Sequence, residues 1–105
     1  MKMKGLVLVA GTVMAVGMMS SAVALDGAAL FKEKNCFTCH GMDAKTPIQP
    51  TYPKLAGQNA DYLHQQMMDI KSGARSNGLT AAMKPFMAMV SDDESKAIAE
   101  WLSTQ

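Results

Sequence analysis

The feature that most constrains this chain is the run Cys36-Phe37-Thr38-Cys39-His40, which has the pattern C-x-x-C-H. Two cysteines at this spacing lie on one helical turn, where each thiol can add across a vinyl group of the same haem. The histidine that follows directly then lies under the iron and can ligate it. The motif therefore predicts one haem c, attached through two thioethers, so that haem binding and folding become one process.

Three other interpretations of the cysteine pair stay open at this point. A structural disulfide between Cys36 and Cys39 is plausible in a secreted chain. A thioredoxin-like redox pair belongs near a βαβ pattern, and no stretch here has convincing strand alternation. A zinc site would need further cysteine or histidine ligands, and outside the motif only His64 remains.

The first two dozen residues have the composition of a secretory signal peptide. Lys2 and Lys4 give a basic start, residues 5–19 are an apolar run, and residues 22–24 form an Ala-Val-Ala site. We predict cleavage after Ala24, which leaves residues 25–105 as one domain. The alternative is a retained anchor, for which the apolar run is at the short limit. Thioether attachment of haem takes place in oxidising, exported compartments, so both features predict a periplasmic protein.

Three helical patterns and two long loops divide residues 25–105, which predicts an all-α fold. The predicted helices cover residues 26–34, residues 59–72 and the segment that opens at Ser91. The predicted loops cover residues 41–57 and 73–90, and all four prolines lie in them. Loops of this length are unusual in so small a domain unless they wrap around something.

The predicted helix ends carry capping residues. Asp26 stands at the N-cap position of the first helix. Gly73 follows the second helix as a C-terminal cap. Ser91 followed three residues later by Glu94 is the capping-box pattern of the last helix.

The sixth iron ligand has to come from a distant part of the chain. The candidates are His64 and the methionines Met42, Met67, Met68, Met83, Met87 and Met89. We interpret the two methionines in the middle helix as core residues and His64 as a surface or partly buried side chain. The three that precede the last helix can approach the iron from the side opposite His40. Ligation by histidine and methionine raises the reduction potential and leaves no open position for a substrate.

Several further motifs resemble those of one protein family. They are residues 52–58 (YPKLAGQ), 62–63 (YL), 69–73 (DIKSG), 83–85 (MKP) and 91–94 (SDDE), together with CFTCHG at 36–41. With the attachment motif they resemble the class I cytochromes c over residues 25–105. The resemblance is to the single-haem cytochromes c-553 to c-555 and to one domain of bacterial cytochrome c4. It implies a cytochrome c fold, with three main helices and long loops around one haem.

The resemblance also implies roles for single residues. The axial methionine of the family lies eight residues before the Ser-Asp that opens the last helix, and here that position is Met83. A backbone carbonyl at Pro53 would accept the Nδ1–H of His40 and fix the ring orientation. We interpret Tyr52, Lys54 and Arg75 as solvated surface, with contact to the haem propionates as the alternative.

The family fold packs the first and last helices crosswise. Gly27 and Phe31 would then contact Ile98 and Trp101, and the glycine would permit the close approach.

These features together predict a periplasmic electron carrier with no enzymatic activity of its own. Its partners would be a reductase and an oxidase, and it would act as a monomer or a weak homodimer with no membrane span after signal cleavage. The formal net charge is only +1, and Lys2 and Lys4 contribute to it, so nothing indicates nucleic-acid binding. The alternatives are a haem subunit of a larger periplasmic oxidoreductase and a haem-based ligand sensor.

Overall fold

A computed structural model describes residues 24–105 of this chain. Its regular elements are the helices α1 (Gly27–Glu33), α2 (Phe37–His40), α3 (Ala60–Ser72), a 3₁₀ helix (Gly78–Met83), α4 (Lys84–Met87) and α5 (Asp92–Ser103). Over residues 24–105 the structure contains no β-strand, which confirms the predicted all-α class with three main helices. The predicted signal peptide lies outside the described residues, apart from Ala24.

Helices α1 and α5 begin, and α3 ends, at the capping residues that the sequence predicts. Asp26 accepts hydrogen bonds from the backbone N–H groups of α1, at 3.0 and 3.2 Å. Gly73 takes the left-handed conformation, with a φ of 91°, directly after α3. Ser91 and Glu94 form both hydrogen bonds of the capping box, at 3.1 and 2.9 Å. Each cap satisfies backbone groups that the helix itself leaves without a partner.

Helices α1 and α5 contact each other so closely that only a glycine fits at one position. A Cβ built on Gly27 would lie 2.3 Å from the backbone oxygen of Ala97 and 2.6 Å from Cβ of Trp101. One turn further on, the rings of Phe31 and Trp101 pack with centroids 5.2 Å apart. The predicted contact between the first and last helices is confirmed.

The segment 73–90 is more ordered than the predicted loop. It contains the 3₁₀ helix and α4, which follow one another directly. Pro85 lies in the first turn of α4, where its missing N–H would have no helical partner in any case. Helices of six and four residues are too short to show a hydrophobic period, so the sequence pattern does not distinguish the 3₁₀ helix and α4 from a loop.

Helix α5 packs against both α1 and α3, and the residues between them form the core. The largest fully buried apolar side chains are Phe31, Ile98, Leu102 and Val90. No helix among residues 24–105 combines the length and the hydropathy that crossing a membrane requires.

Candidate functional site

The cysteine pair lies on the short helix α2 and the turn that precedes it. Cys36 is the N-cap residue, and its carbonyl accepts a hydrogen bond from the backbone N–H of His40 at 3.1 Å. Both Cys36 and Cys39 are half-buried, and no disulfide joins them. Burial raises the pKa of the Cys36 thiol from 9.0 to about 11, so that thiol is protonated at neutral pH.

Gly41 ends α2 with a φ of 85°, a conformation that side chains other than glycine rarely adopt. A Cβ at this position would lie 2.3 Å from the backbone oxygen of Thr46. The glycine therefore lets the chain turn sharply after His40, so that the following loop folds back onto the motif.

His40 is buried, with 8% of its surface exposed. Burial lowers the pKa of its imidazole below the ordinary value, which favours the neutral form that binds metal ions. Its Nδ1 atom is buried and has no hydrogen-bond partner among the described residues. The predicted bond from Nδ1 to the carbonyl of Pro53 is therefore not formed in this structure.

The position of Pro53 is set by backbone hydrogen bonds of the residues that follow it, and not by a bond to His40. The backbone N–H groups of Leu55 and Ala56 both donate to the carbonyl of Ala44, at 3.0 and 3.1 Å. These bonds tie the residues after Pro53 to the loop that follows α2, independently of the imidazole. Pro53 lies in the wall of the same cavity as His40.

This cavity has a volume of about 490 Å³ and a mainly apolar lining, within the usual range for cofactor pockets. Cys36, Cys39 and His40 line one part of it. The apolar lining includes Phe31 of α1, Leu63, Met67 and Ile70 of α3, and Ile98 and Leu102 of α5. The residues present fit a haem, because they combine an apolar cavity with two thiols and a neutral imidazole in its wall.

The structure separates the candidate sixth ligands into two groups. Met83, half-buried, and Met87, with 3% of its surface exposed, both line the cavity. Met89 is 71% exposed and lies outside the lining. Met67 also lines the cavity from the middle helix, in keeping with its interpretation as a core residue.

His64 lies outside the cavity lining. Its Nε2 atom is 2.8 Å from Oδ1 of Asp92, at the start of α5, and its side chain is 28% exposed. The interpretation as a surface or partly buried residue is confirmed.

The charged side chains in the cavity wall are all basic. They are Lys34, Lys54 and Arg75, and the Nη1 atom of Arg75 donates to Oε1 of Gln66 at 3.1 Å. Tyr52 lines the cavity as well, so the sequence interpretation of Tyr52, Lys54 and Arg75 as solvated surface is incomplete. The sequence analysis did not single out Lys34 as a site residue. Its position two residues before Cys36 could have indicated that it lies near the site.

Residues 24–105 match the family model described as cytochrome c. Among curated proteins, a thiosulfate dehydrogenase electron acceptor of Stutzerimonas stutzeri is 45% identical over 67 residues. That match covers 64% of this chain and 30% of the relative. Cytochrome c-554(548) of Halomonas halodenitrificans is 37% identical, with 67% of this chain and 83% of the relative covered.

Cytochrome c-553 of Nitratidesulfovibrio vulgaris is 34% identical, and the match covers 80% of each chain. Among solved structures, reduced cytochrome c4 from Pseudomonas stutzeri superposes with a TM-score of 0.59 at 26% identity. That superposition covers 78% of this chain and 51% of the cytochrome c4 chain. The chain thus spans about half of that cytochrome c4 chain and less than a third of the electron acceptor, but most of cytochromes c-554(548) and c-553.

Proposed function

This chain belongs to the class I cytochrome c family, and from that premise we propose that it is a periplasmic one-electron carrier with His40 and Met83 as iron ligands. Family membership and the Cys36/Cys39 pair imply one covalent haem c and transfer of electrons between redox proteins, without enzymatic activity. The proposal that His40 and Met83 are the iron ligands rests on one observation, namely that both residues line the same cavity. One apolar space of about 490 Å³ is lined by both cysteines, by the neutral imidazole and by Met83.

The two cysteines would hold the haem through thioethers. Each thiol would add its S–H bond across one vinyl group, with sulfur going to one carbon and hydrogen to the other. No oxidant is needed for this step. Since burial raises the pKa of Cys36, the closed domain offers less thiolate there than an exposed cysteine would.

The haem, when bound, supplies an iron centre that gains and loses one electron. His40 offers a neutral nitrogen, and Met83 offers a thioether from the end of the 3₁₀ helix. His40 and Met83 would together hold the iron and leave no position for a substrate, which favours electron transfer over catalysis. The carbonyl of Pro53 is proposed to accept the Nδ1–H of His40 when the haem holds the ring.

We also propose that residues 1–24 are a signal peptide and that the carrier acts in the periplasm as a monomer or weak homodimer. The basic, apolar and Ala-Val-Ala segments support export. The protein isolated from the periplasm of a host that matures c-type cytochromes is expected to begin at Leu25, within two residues. Intact mass and N-terminal sequencing measure this directly. A membrane-bound product that retains Lys2 would contradict the export proposal.

A second candidate is a haem subunit of a larger periplasmic oxidoreductase. It is considered because this chain is similar to a thiosulfate dehydrogenase electron acceptor, a relative named for accepting electrons from an enzyme. Purification of the native protein separates the two proposals. A free carrier elutes alone, whereas a subunit elutes with its catalytic partner in constant ratio.

Replacement of Met83 by Leu tests the ligand assignment. We expect the variant to keep its covalent haem but to lose the weak far-red band that arises from sulfur-to-iron charge transfer. Its reduction potential should fall by on the order of 0.1–0.3 V, a part of the ~0.8 V range that axial ligands span. The reduced variant should also bind carbon monoxide. Spectroscopy and potentiometry of the exported holoprotein measure all three effects.

Met87→Leu is the matched control, because Met87 lines the same cavity in the same segment and Leu nearly conserves its volume. It should keep the far-red band and nearly the wild-type potential. If Met87→Leu lost the band and Met83→Leu kept it, the axial ligand would be Met87. Carbon monoxide binding by the wild-type protein at neutral pH would favour a ligand sensor.

A further inference from the structure

Two lysines from different helices donate hydrogen bonds to adjacent backbone carbonyls beside the Met83 segment. The Nζ atom of Lys34, the residue that follows α1, lies 3.0 Å from the carbonyl oxygen of Met89. The Nζ atom of Lys71, in the last turn of α3, donates to the carbonyl of the next residue, Val90. These contacts join parts of the chain that are 55 and 19 residues apart in sequence.

The two carbonyls lie in the short connection between α4 and α5. Helix α4 ends at Met87 and the capping box of α5 begins at Ser91, so neither carbonyl belongs to a helix. Val90 is 2% exposed, and its contact with Lys71 is partly buried. A carbonyl in such a place needs a partner from elsewhere in the chain, and each lysine supplies one with a full charge.

Lys34 is itself held in position. Its Nζ atom is 3.5 Å from Oε2 of Glu94, and the lysine side chain is 23% exposed. The other carboxylate oxygen of Glu94 accepts the backbone N–H of Ser91 at 2.9 Å. The same lysine therefore connects the end of α1, the α4–α5 connection and the start of α5, and it also lines the cavity.

We propose that Lys34 and Lys71 are positioning residues, which fix the connection after α4 and thereby keep Met83 within reach of the iron. This inference rests on the proposed ligation by Met83. The segment that carries Met83 runs from the 3₁₀ helix through α4 to this connection, and the two lysines tie its C-terminal end to α1 and α3. When these bonds are lost, the segment moves away from the cavity more often and another ligand can take the methionine's place.

Competition by imidazole tests the proposal on the full exported holoprotein. Imidazole binds ferric iron in its neutral form, so its affinity responds to opening of the methionine segment more than to the loss of a lysine charge. Lys34→Leu and Lys71→Leu remove the donors and introduce no new iron ligand. Hydrogen bonds from a charged donor are among the stronger ones in proteins, and a tenfold change in binding corresponds to about 1.4 kcal/mol. We therefore expect about tenfold tighter imidazole binding in Lys71→Leu and a further increase in the double variant.

Three controls separate positioning from other effects. Lys96→Leu removes an exposed lysine of α5 and should bind imidazole as the wild type does. Asn59→Ala removes the side-chain cap of α3 and so lowers stability without touching the connection, so it should also leave imidazole binding unchanged. Lys71→Arg keeps a charged donor and should restore most of the wild-type affinity.

Different results would contradict the ligation by Met83 and the positioning role of the two lysines. If the far-red band is present in the wild type and disappears in Met83→Leu, the ligation stands. Unchanged imidazole affinity in the Lys34→Leu/Lys71→Leu double variant would then overturn the positioning role alone. An equal increase in Asn59→Ala would also overturn it, since general destabilisation would account for the effect. If Met83→Leu keeps the band, Met83 is not the iron ligand, and the positioning proposal that rests on it is contradicted as well.

Discussion

A Cys36→Ser/Cys39→Ser double variant is expected to be exported without covalent haem and recovered in very low amount. Serine nearly preserves the size of each side chain but cannot form a thioether to the vinyl groups. The domain keeps a cavity of about 490 Å³ among its three main helices, so the polypeptide core alone is marginal. Haem staining of a denaturing gel and intact mass of the product measure the loss.

Single cysteine variants should retain one thioether and give intermediate yields. Thr38→Ala is the matched control, because Thr38 is exposed on the same turn and both thiols remain. It should keep wild-type haem content. Covalent haem in the double serine variant would contradict attachment at this pair.

Gly27→Ala is expected to destabilise the holoprotein by about 1–3 kcal/mol, the range for added volume at a tightly packed contact. The new Cβ would lie 2.3 Å from the backbone oxygen of Ala97, so α1 and α5 would have to separate. That movement would also disturb the ring contact between Phe31 and Trp101. Glycine-to-alanine changes in helix interiors usually stabilise the protein, by up to ~1 kcal/mol. A loss of stability in Gly27→Ala would therefore indicate the close contact between α1 and α5. Denaturant unfolding of the holoprotein measures it.

Ser95→Ala is the control for this prediction. Ser95 is fully buried on α5, and its Oγ atom has no hydrogen-bond partner among the described residues. Removing an unpartnered buried hydroxyl is neutral or stabilising. A Gly27→Ala variant as stable as the wild type would contradict the close crossing of α1 and α5.

The fold was predictable where single residues fix a helix end. Asp26, Gly73 and the Ser91/Glu94 pair each satisfy backbone groups locally, and the structure places all of them as caps. The 3₁₀ helix and α4 were not predictable, because elements of six and four residues are too short to show a period. Met87 of α4 packs in the buried core, a tertiary contact that a local sequence pattern does not show.

The predicted site residues come in part from chemistry and in part from resemblance. The C-x-x-C-H pattern predicts attachment directly, whereas Met83 was singled out through the family motif. The contacts of Lys34 and Lys71 cross 55 and 19 residues of sequence, and only the packing of α1 and α3 around the connection brings the partners together. The pairing of His64 with Asp92, across 28 residues, was hidden for the same reason.

A redox titration of the exported protein, followed in its visible spectrum, tests the central claim most directly. The account predicts a covalently bound haem, one per chain, that titrates in a single one-electron step, with a far-red band in the oxidised form. A protein from a haem c-maturing host that carried no haem, or whose haem was lost on denaturation, would contradict it.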